Sequence, residues 1–290
     1  MRISCVILNY NDAPTTLEQV ERIRDYHCLD YIVVVDNCSS DDSVQLLEAA
    51  ADEKVILLKA EKNGGYGAGN NLGVRYSKEV LHMTHVLIAN PDTEFTEKCV
   101  SAMAAVFQRQ SRVGVVAASM TDHSDGNQPK AWPLRPFVKS LMAAGPVCRR
   151  LFKGALYYPE TYFEKKKAVY VDVVHGSMLM VDAEKMMDCG AYDEGVFLYE
   201  EENILGFCMK RKGYRTVLLL KESYLHHNSV TISKTFQSLE AKQKLRHESM
   251  MFYFKNYLEI NGFQERIANA FFRIILFEIW FCSKVLRMTW

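Results

Sequence analysis

The chain has no excess of charge of either sign and no long uncharged apolar run. Its 290 residues include 35 Lys and Arg and 35 Asp and Glu, so the formal net charge is zero. Such a chain lacks the bulk positive charge that attracts nucleic acid, and we expect no nucleic-acid partner. An ordinary membrane-spanning helix needs about 18 to 20 apolar residues in succession, and no such run is present.

The cysteines are also uninformative as a group. Eight are scattered along the chain, and none forms a Cys-x-x-Cys pair, which argues against a zinc-ribbon or thioredoxin-type site. The first residues, MRISCVILNYND, lack the basic head, apolar core and small-residue cleavage site of a signal peptide. We therefore expect a cytoplasmic protein with free thiols.

The first 120 residues alternate between apolar runs and helix-like segments. The apolar runs are ISCVILNY, YIVVVDN, KVILLKA, THVLIAN and VGVVAAS. Continuous Val, Ile and Leu runs separated by helices are typical of a parallel sheet covered on both faces. The sequence predicts an α/β fold with a Rossmann-like, mostly parallel sheet flanked by helices.

This alternation ends after Ser119. MTDHSDGNQPKAWPLRP predicts a loop, and the basic, aromatic stretch 137–167 fits no pattern. AVYVDVVHGSMLMVDAEKMMDCGAYDE predicts a strand and a helix, YEEENILGFCMKRKGY a helix ending at Gly213, and TVLLL a strand. Two long helical segments follow. We predict one unit of residues 1–232 and a C-terminal helical appendage of residues 233–290.

Polar residues follow four predicted strands at their carboxyl ends. They are Asn9 and Asn11, Asp36, Asn63 to Gly65, and Asn90 to Asp92. Ligands of open parallel sheets bind outside these ends. A helix cap or a turn would explain any one of these residues, but all four ends together predict a binding cleft.

The stretch NGGYGAGNN is the candidate phosphate-binding loop. Glycines such as Gly65 and Gly69 let backbone N–H groups approach an anion, and the following helix contributes its positive end. No Lys-Ser/Thr follows, so it is not a P-loop. Leu72 occupies the last glycine position of a dinucleotide-binding motif, which also belongs after the first strand. The alternative is a flexible turn.

Asp92 is the candidate metal ligand. Pro91 fixes the backbone that presents this carboxylate, and carboxylate oxygens suit Mg²⁺ or Mn²⁺. A divalent cation held there would neutralise a departing diphosphate. The alternative is a helix cap, because Asp is a good N-cap residue and TEFTEK follows.

Two further clusters can carry chemistry. Glu200, Glu201 and Glu202 precede an apolar helix, so one of them can be desolvated in a cleft and act as a general base, unless all three only complement the helix dipole. His226 and His227 are adjacent, and in an extended segment their side chains face opposite ways. One can therefore bind a metal while the other packs.

In this order the motifs resemble those of the family 2 glycosyltransferases with the GT-A fold. The resemblance covers about residues 2–230 and is carried by VILNYN, VVVDNCSSDDS, NGGYGAGNN, NPDT, HGSMLMV, GAYDEGVFLYEEENILGFCMKRKGY and the late HH. The pairing of NGGYGAGNN with NPD is most similar to the bacterial rhamnosyltransferase-like branch. That branch uses dTDP-L-rhamnose to build cell-surface polysaccharide.

The resemblance implies a role for each matching residue. The donor-binding residues would be Asn9, Asn11, Asp36, Asn63, Gly65, Gly69, Asn71, Asn90 and Asp92. His175, Gly176 and Ser177 would line the sugar or acceptor cleft, and Asp92 would bind the metal with His226 or His227. Glu202 would be the base, with Glu201 in reserve. Asn90 and Glu202 each stand where the family more commonly has aspartate.

The implied reaction is a single displacement with inversion, from a nucleotide-sugar donor to a saccharide or lipid-linked acceptor. A UDP-sugar is the alternative donor, and a nucleotide-binding subunit with a degenerate site is the non-catalytic alternative. A nucleotidyltransferase would need a lysine-bearing loop after the first strand, and NYNDAPTT offers none.

The last helical segment combines basic and apolar residues. Arg266, Arg273, Trp280 and Arg287 are spaced seven apart, which places them near one helix face with Lys284. A basic stripe beside an apolar face is typical of a helix lying on an anionic membrane surface. The same pattern fits a helix packed on the protein body or in a homodimer.

Overall fold

One mixed sheet organises the chain. The computed structural model describes residues 1–121, 128–227 and 239–284. Its strands are β1 (Ile3–Asn9), β2 (Tyr31–Asp36), β3 (Val55–Lys59), β4 (His85–Ala89), β5 (Thr93–Glu94), β6 (Val113–Thr121), β7 (Ala168–Val171), β8 (Met178–Asp182) and β9 (Arg215–His226).

Helices fill most of the connections. They are α1 (Ala13–Ile23), α2 (Ser43–Ala50), α3 (Gly65–Glu79), α4 (Glu97–Arg109), α5 (Phe137–Ala144), α6 (Pro146–Leu151), α7 (Lys153–Leu156), α8 (Ala183–Asp188), α9 (Glu201–Arg211), α10 (Leu239–Asn256) and α11 (Gly262–Lys284). A short 3-10 turn spans Glu160–Tyr162. The basic stretch 137–167, which fitted no sequence pattern, therefore forms α5, α6, α7 and this turn.

The strand order is β3-β2-β1-β4-β8-β6-β9-β5, with β7 also paired to β9. The first four strands are parallel, as predicted. β8 runs antiparallel between β4 and β6, whereas β6 and β9 are parallel to each other. The carboxyl ends of β1, β2 and β4 therefore meet the amino end of β8, where Asn9 is level with Asp36 and Ala89 with Met178.

Two elements differ from the sequence prediction. The segment that begins AVYVDVV forms two strands, β7 and β8, where a single strand was expected. β9 extends well beyond TVLLL. The sequence did not indicate this extension, because residues 220–223 alternate between half-buried and exposed positions and lack a continuous apolar run.

Two apolar layers cover the sheet. Cys5 and Ile7 of β1 face a cluster that includes Val20 of α1 and Met103 of α4. The intervening Val6 faces the opposite cluster, as strand geometry requires. There α3 comes so close that a Cβ on Gly73 would lie 2.5 Å from the Cγ1 of Val6.

A third cluster joins the C-terminal helices to the rest of the chain. Phe254 of α10 and Phe272 of α11 pack with Leu141 of α5 and Ile204 of α9. The described part of the appendage thus shares a core with residues before 232, and the boundary at that residue stays a prediction. Within the described ranges, no helix has both the length and the apolar character to cross a membrane.

Candidate active site

The segment His175–Ser177, between β7 and β8, is the meeting point of the predicted motifs. The hydroxyl of Tyr66, at the start of α3, donates to the Gly176 carbonyl at 2.7 Å. The Asn90 N–H donates to the Ser177 carbonyl at 2.8 Å, and the Gly176 N–H donates to Glu202 Oε1 at 3.3 Å. The glycine stretch, the Asn-Pro-Asp turn and the glutamates are therefore gathered around one segment.

The ends of β1 and β2 form a locked polar pair. Asn9 Nδ2 donates to Asp36 Oδ1 at 2.9 Å, and both residues are buried. The two carboxylate oxygens of Asp36 also accept bonds from the Ser39 hydroxyl, at 2.6 Å, and from the Ser39 N–H, at 2.9 Å. Asn11 Oδ1 accepts from the Ser40 N–H. The predicted neighbours lie together, and their side chains fix the loop that follows β2.

The glycine stretch is largely helical, and its glycines allow close packing. Gly65 begins α3 with a φ of 87°, and a Cβ there would collide with the Phe197 carbonyl. A Cβ on Gly69 would collide with the Leu8 side chain. Asn63 Oδ1 accepts from the Gly65 N–H. These contacts account for the glycines without a bound phosphate, so their donor-binding role stays a prediction.

Asn71 links α3 to the segment that leads to the glutamates. Its Nδ2 donates to the Tyr192 carbonyl, and its Oδ1 accepts from the Tyr192 N–H, both at 2.9 Å. Nδ2 also donates to Glu194 Oε1 at 2.9 Å. These bonds give the buried side chain a structural function, and its donor-binding role, which the resemblance implied, stays a prediction.

Asp92 and His226 come together because β5 pairs with the end of β9. His226 Nε2 lies 3.2 Å from Asp92 Oδ1 but makes no well-aligned hydrogen bond among the described residues. Two ligands bound about 2.1 Å from one octahedral cation lie about 3 Å apart. Asp92, only 8% exposed, and His226 therefore fit two adjacent ligands of one divalent cation.

His227 faces the other way, as expected for adjacent residues of an extended segment. Its Nε2 contacts Glu94 Oε1 at 2.7 Å, and Glu94 is also paired with Arg22. His226 is thus the better-placed metal ligand. Within the described ranges, no group of three or more His, Cys, Asp and Glu residues could hold a metal. A cation here would need further oxygen ligands from a bound substrate or from water, as Mg²⁺ commonly does.

The three glutamates have different surroundings. Glu200 Oε2 accepts from Asn203 Nδ2 at 2.7 Å. Glu201 is 4% exposed, and its Oε1 has no hydrogen-bond partner in the described structure. Burial, and then the charge of Glu202, raise the pKa of Glu201 well above its usual value. Glu201 is therefore enclosed and disfavoured as a carboxylate.

Glu202 faces a cleft. Burial raises the pKa of Glu202, while its own N–H and that of Gly176 oppose the shift. A Cβ on Gly176 would lie 2.8 Å from Glu202 Oε1, so only glycine permits this approach. A half-buried carboxylate of raised pKa at a cleft wall can act as a general base. The geometry favours Glu202 over Glu201 in this role.

An unusual backbone leads into these glutamates. Tyr199 and Glu200 both adopt left-handed conformations, with φ values of 74° and 71°. Each such conformation costs a non-glycine residue roughly 1–3 kcal/mol. α10 contacts this turn, where the Ser249 hydroxyl donates to the Leu198 carbonyl at 2.6 Å and the Arg246 guanidinium lies over the Tyr199 ring.

The remaining predicted residues line or brace the same region. His175 Nε2 lies 2.6 Å from the Pro129 carbonyl, and its ring meets Trp132 edge-on at 5.2 Å. The Ser177 hydroxyl lies 2.7 Å from the Tyr224 hydroxyl, and the Ser177 carbonyl accepts from the Asn90 N–H. His175 borders the cleft, whereas Ser177 is buried behind it.

The cleft beside Glu202 has a volume of about 1000 Å³ and contains residues that the sequence did not single out. They include Trp132, Arg135, Arg149, Arg150, Lys153, Tyr157 and Arg246. For the residues between 137 and 167, the available signal was the density of basic and aromatic residues in that stretch. No periodic pattern indicated which face of it would meet the glutamates.

Comparisons with known proteins identify the family and the fold. The family described as glycosyl transferase family 2 matches residues 4–186, which is more than half of the chain. This match covers β1 to β8, including Asp36, Asp92 and the His175–Ser177 segment.

Two characterised relatives are each 25% identical to the chain. The low-salt glycan biosynthesis hexosyltransferase of Haloferax volcanii matches over 213 residues, or 72% of this chain and 61% of that protein. The N-acetylglucosaminyl-diphospho-decaprenol L-rhamnosyltransferase of Mycobacterium tuberculosis matches over 209 residues, or 68% and 66%. The matches thus cover less than two thirds of the length of each relative.

Solved structures show the same fold at lower identity. A mannosyltransferase from Pyrobaculum calidifontis, in complex with GDP-Man and Mn²⁺, has a TM-score of 0.60 and 15% identity, covering 98% of this chain and 70% of that one. GalNAc-T7 with UDP, GalNAc and Mn²⁺ has a TM-score of 0.61 and 14% identity, covering 99% and 57%. The predicted GT-A fold is confirmed.

The two histidines provide a matched test of the metal site. His226→Ala should weaken Mn²⁺ binding by at least about tenfold, because it removes one of the two candidate protein ligands. His227→Ala should leave the Mn²⁺ affinity close to wild type, because that side chain contacts Glu94. Water-proton relaxation titrations would measure both affinities. Equal losses in the two variants would contradict the assignment.

Proposed function

The chain belongs to glycosyl transferase family 2, and we propose that it is an inverting glycosyltransferase. It moves a sugar from a nucleotide-sugar donor to a saccharide or lipid-linked saccharide acceptor. The single observation that supports this function best is the bonding of both Asn90 and Glu202 to the His175–Ser177 segment. That contact brings the Asp92 turn and a candidate base into one site.

Each residue has a defined part in the proposed reaction. Glu202 takes the proton of the acceptor hydroxyl while that oxygen bonds to the anomeric carbon. The bond from this carbon to the diphosphate breaks, and the diphosphate leaves with the electron pair. Asp92 and His226 would hold a divalent cation, which neutralises the leaving diphosphate when bound. The loop after β2, fixed by Asn9 and Asp36, lies where the nucleotide would bind.

The donor that we propose is dTDP-L-rhamnose, for synthesis of bacterial surface polysaccharide. Its support is the pairing of NGGYGAGNN with NPD and the similarity to a mycobacterial L-rhamnosyltransferase. The archaeal relative is named only as a hexosyltransferase, so a UDP-sugar is the alternative donor. A cytoplasmic location also belongs to this proposal.

A thermal-shift panel would test the donor. We expect dTDP-L-rhamnose with Mn²⁺ to raise the melting temperature more than UDP- or GDP-sugars do, because a ligand that binds only the folded state stabilises it. Asp92→Asn should remove most of the Mn²⁺-dependent part of the shift. A clear preference for a UDP-sugar would contradict the rhamnose assignment but not the transferase function.

Substitution of the glutamates would test the base. Glu202→Gln should lower the rate of nucleoside diphosphate release by roughly 10²- to 10⁴-fold, the usual contribution of a general base, with donor affinity nearly unchanged. Glu201→Gln is the matched control and should retain most of the activity.

The pH dependence follows from the same environment. The base must be ionised, and burial raises the pKa of Glu202. Activity should therefore fall with decreasing pH at values above the ordinary glutamate pKa of about 4.3.

If Glu201→Gln abolishes turnover and Glu202→Gln does not, Glu201 is the base. Donor binding without turnover by the wild-type protein would indicate a degenerate site.

We also propose that α11 lies on an anionic membrane surface. One face of the helix, with Phe272 and Ile275, is buried in the third core cluster. The opposite face exposes 62% of Phe277 and 52% of Trp280, together with Arg273. Basic residues beside exposed apolar side chains favour binding to anionic lipid over a purely apolar partner.

The neighbouring helix extends this surface. The Val147 N–H, in the first turn of α6, donates to Glu278 Oε1 of α11, and α6 ends at Leu151, which is 72% exposed. Arg266 of the predicted basic stripe is exposed as well. Arg287 lies outside the described residues, as does the side chain of Lys284.

Vesicle co-sedimentation would test the membrane surface. The wild-type protein should pellet with vesicles of phosphatidylcholine and phosphatidylglycerol, and less with phosphatidylcholine alone. The double variant Phe277→Glu/Trp280→Glu should pellet less, whereas Leu46→Glu/Val80→Glu, at exposed apolar sites elsewhere, should behave as wild type. Equal pelleting of both variants would contradict the proposal. If the double variant Phe277→Glu/Trp280→Glu loses a dimer but pellets like the wild type, the surface serves self-association and not membrane binding.

A further inference from the structure

We propose that the cleft beside Glu202 binds a phosphate group carried by the acceptor. This inference rests on the proposed function, because it assigns the acceptor side of the same site. We call this cleft the basic cleft. The residues that would bind the phosphate are Arg135, Arg149, Arg150, Lys153 and Arg246, which all line it.

The basic cleft has an excess of positive charge that the protein does not neutralise. Five cationic side chains line it, against the carboxylates of Glu200 and Glu202. Among the described residues, none of the five forms an ion pair with a carboxylate within 4.0 Å. Because five cations face only two carboxylates, the cleft keeps an excess of positive charge that attracts and holds an anionic ligand.

Part of this charge is held at a cost. Arg135 Nε donates to the Leu156 carbonyl, but its Nη2 is buried without a partner in the described structure. Burial lowers the pKa of Arg135 and of Arg149, and the neighbouring charge of Arg246 lowers that of Arg149 further. A bound anion would relieve both the desolvation and the repulsion.

The basic cleft is separate from the proposed donor side. Asp92 and His226 are not among its lining residues. Glu202, His175 and Trp132 do line it. Trp132 is held in place there by a 2.8 Å hydrogen bond from its Nε1 to Asn203 Oδ1. A sugar placed against Glu202 and Trp132 could therefore extend a phosphate toward the cations of α6, α7 and α10.

The chemistry of the lining favours phosphate over a carboxylate. Guanidinium groups bind the oxygens of both carboxylates and phosphates in pairs, and four of the five cations are arginines, so the charge of the anion discriminates between the two. A phosphate monoester or a diphosphate also carries more charge than one carboxylate, which suits five cations. The group could belong to a lipid diphosphate or to a soluble phosphorylated glycan, and both present the same oxygens.

Calorimetric titrations of anionic probes would test the basic cleft. EDTA in the buffer removes divalent cations, so the probes cannot bind through a cation on the donor side. The probes are inorganic pyrophosphate, farnesyl diphosphate and farnesol. The double variant Arg149→Gln/Lys153→Gln should bind both diphosphates at least about tenfold more weakly, since a charge-assisted hydrogen bond is worth about that factor. Lys139→Gln/Lys165→Gln, exposed lysines outside the cleft, and Asp92→Asn should bind like wild type.

The outcomes separate the sources and the two proposals. Tighter binding of farnesyl diphosphate than of pyrophosphate, with none of farnesol, supports a lipid diphosphate. Equal binding of the two diphosphates supports a soluble phosphorylated acceptor. Unchanged affinities in Arg149→Gln/Lys153→Gln, or an equal loss in Asp92→Asn, would overturn the inference. If the inference is overturned but the wild-type protein releases nucleoside diphosphate from its donor, the proposed transferase function still stands.

Discussion

The hydrogen bond from the Gly176 N–H to Glu202 Oε1 is the contact on which the arrangement of the site depends. The same short segment accepts bonds from Tyr66 and Asn90 through its carbonyl groups. Three parts of the chain that are far apart in sequence are thereby fixed at one edge of the sheet. The lack of a side chain at Gly176 is what allows the carboxylate to approach this closely.

The two sides of the candidate site would attract negative charge in different ways. On one side Asp92 and His226 offer adjacent ligands for a cation and therefore suit a diphosphate leaving group. On the other side the basic cleft offers positive charge directly, and Glu202 lies on the wall of that cleft. The raised pKa of Glu202 follows from burial, so the enclosure of this side chain also sets the proton affinity of the proposed base.

The sequence predicts the first half of the fold well because each of its early strands is a continuous apolar run, which is typical of a parallel sheet. β8 could not be foreseen as an inserted antiparallel strand, since strand order is a long-range property. The approach of Asp92 to His226 depends on the same kind of pairing, between β5 and β9. The glycine stretch is ambiguous for a physical reason: glycine serves close helix–sheet packing as readily as anion binding, so its donor-binding role stays a prediction. The basic cleft was hidden because its residues come from separate parts of the chain: Arg149, Arg150 and Lys153 from the short helices α6 and α7, Arg135 from the segment before α5, and Arg246 from α10.

The two left-handed residues before α9 connect the far end of the chain to its chemistry. Tyr199 and Glu200 hold an unfavourable backbone shape directly before the acidic residues, and Ser249 and Arg246 of α10 contact that turn. A strained turn persists only where its surroundings over-determine it. The C-terminal helices are thus an internal support of the backbone that presents the proposed base, and if α11 binds a membrane as proposed, a force applied to it there would be transmitted to Glu202.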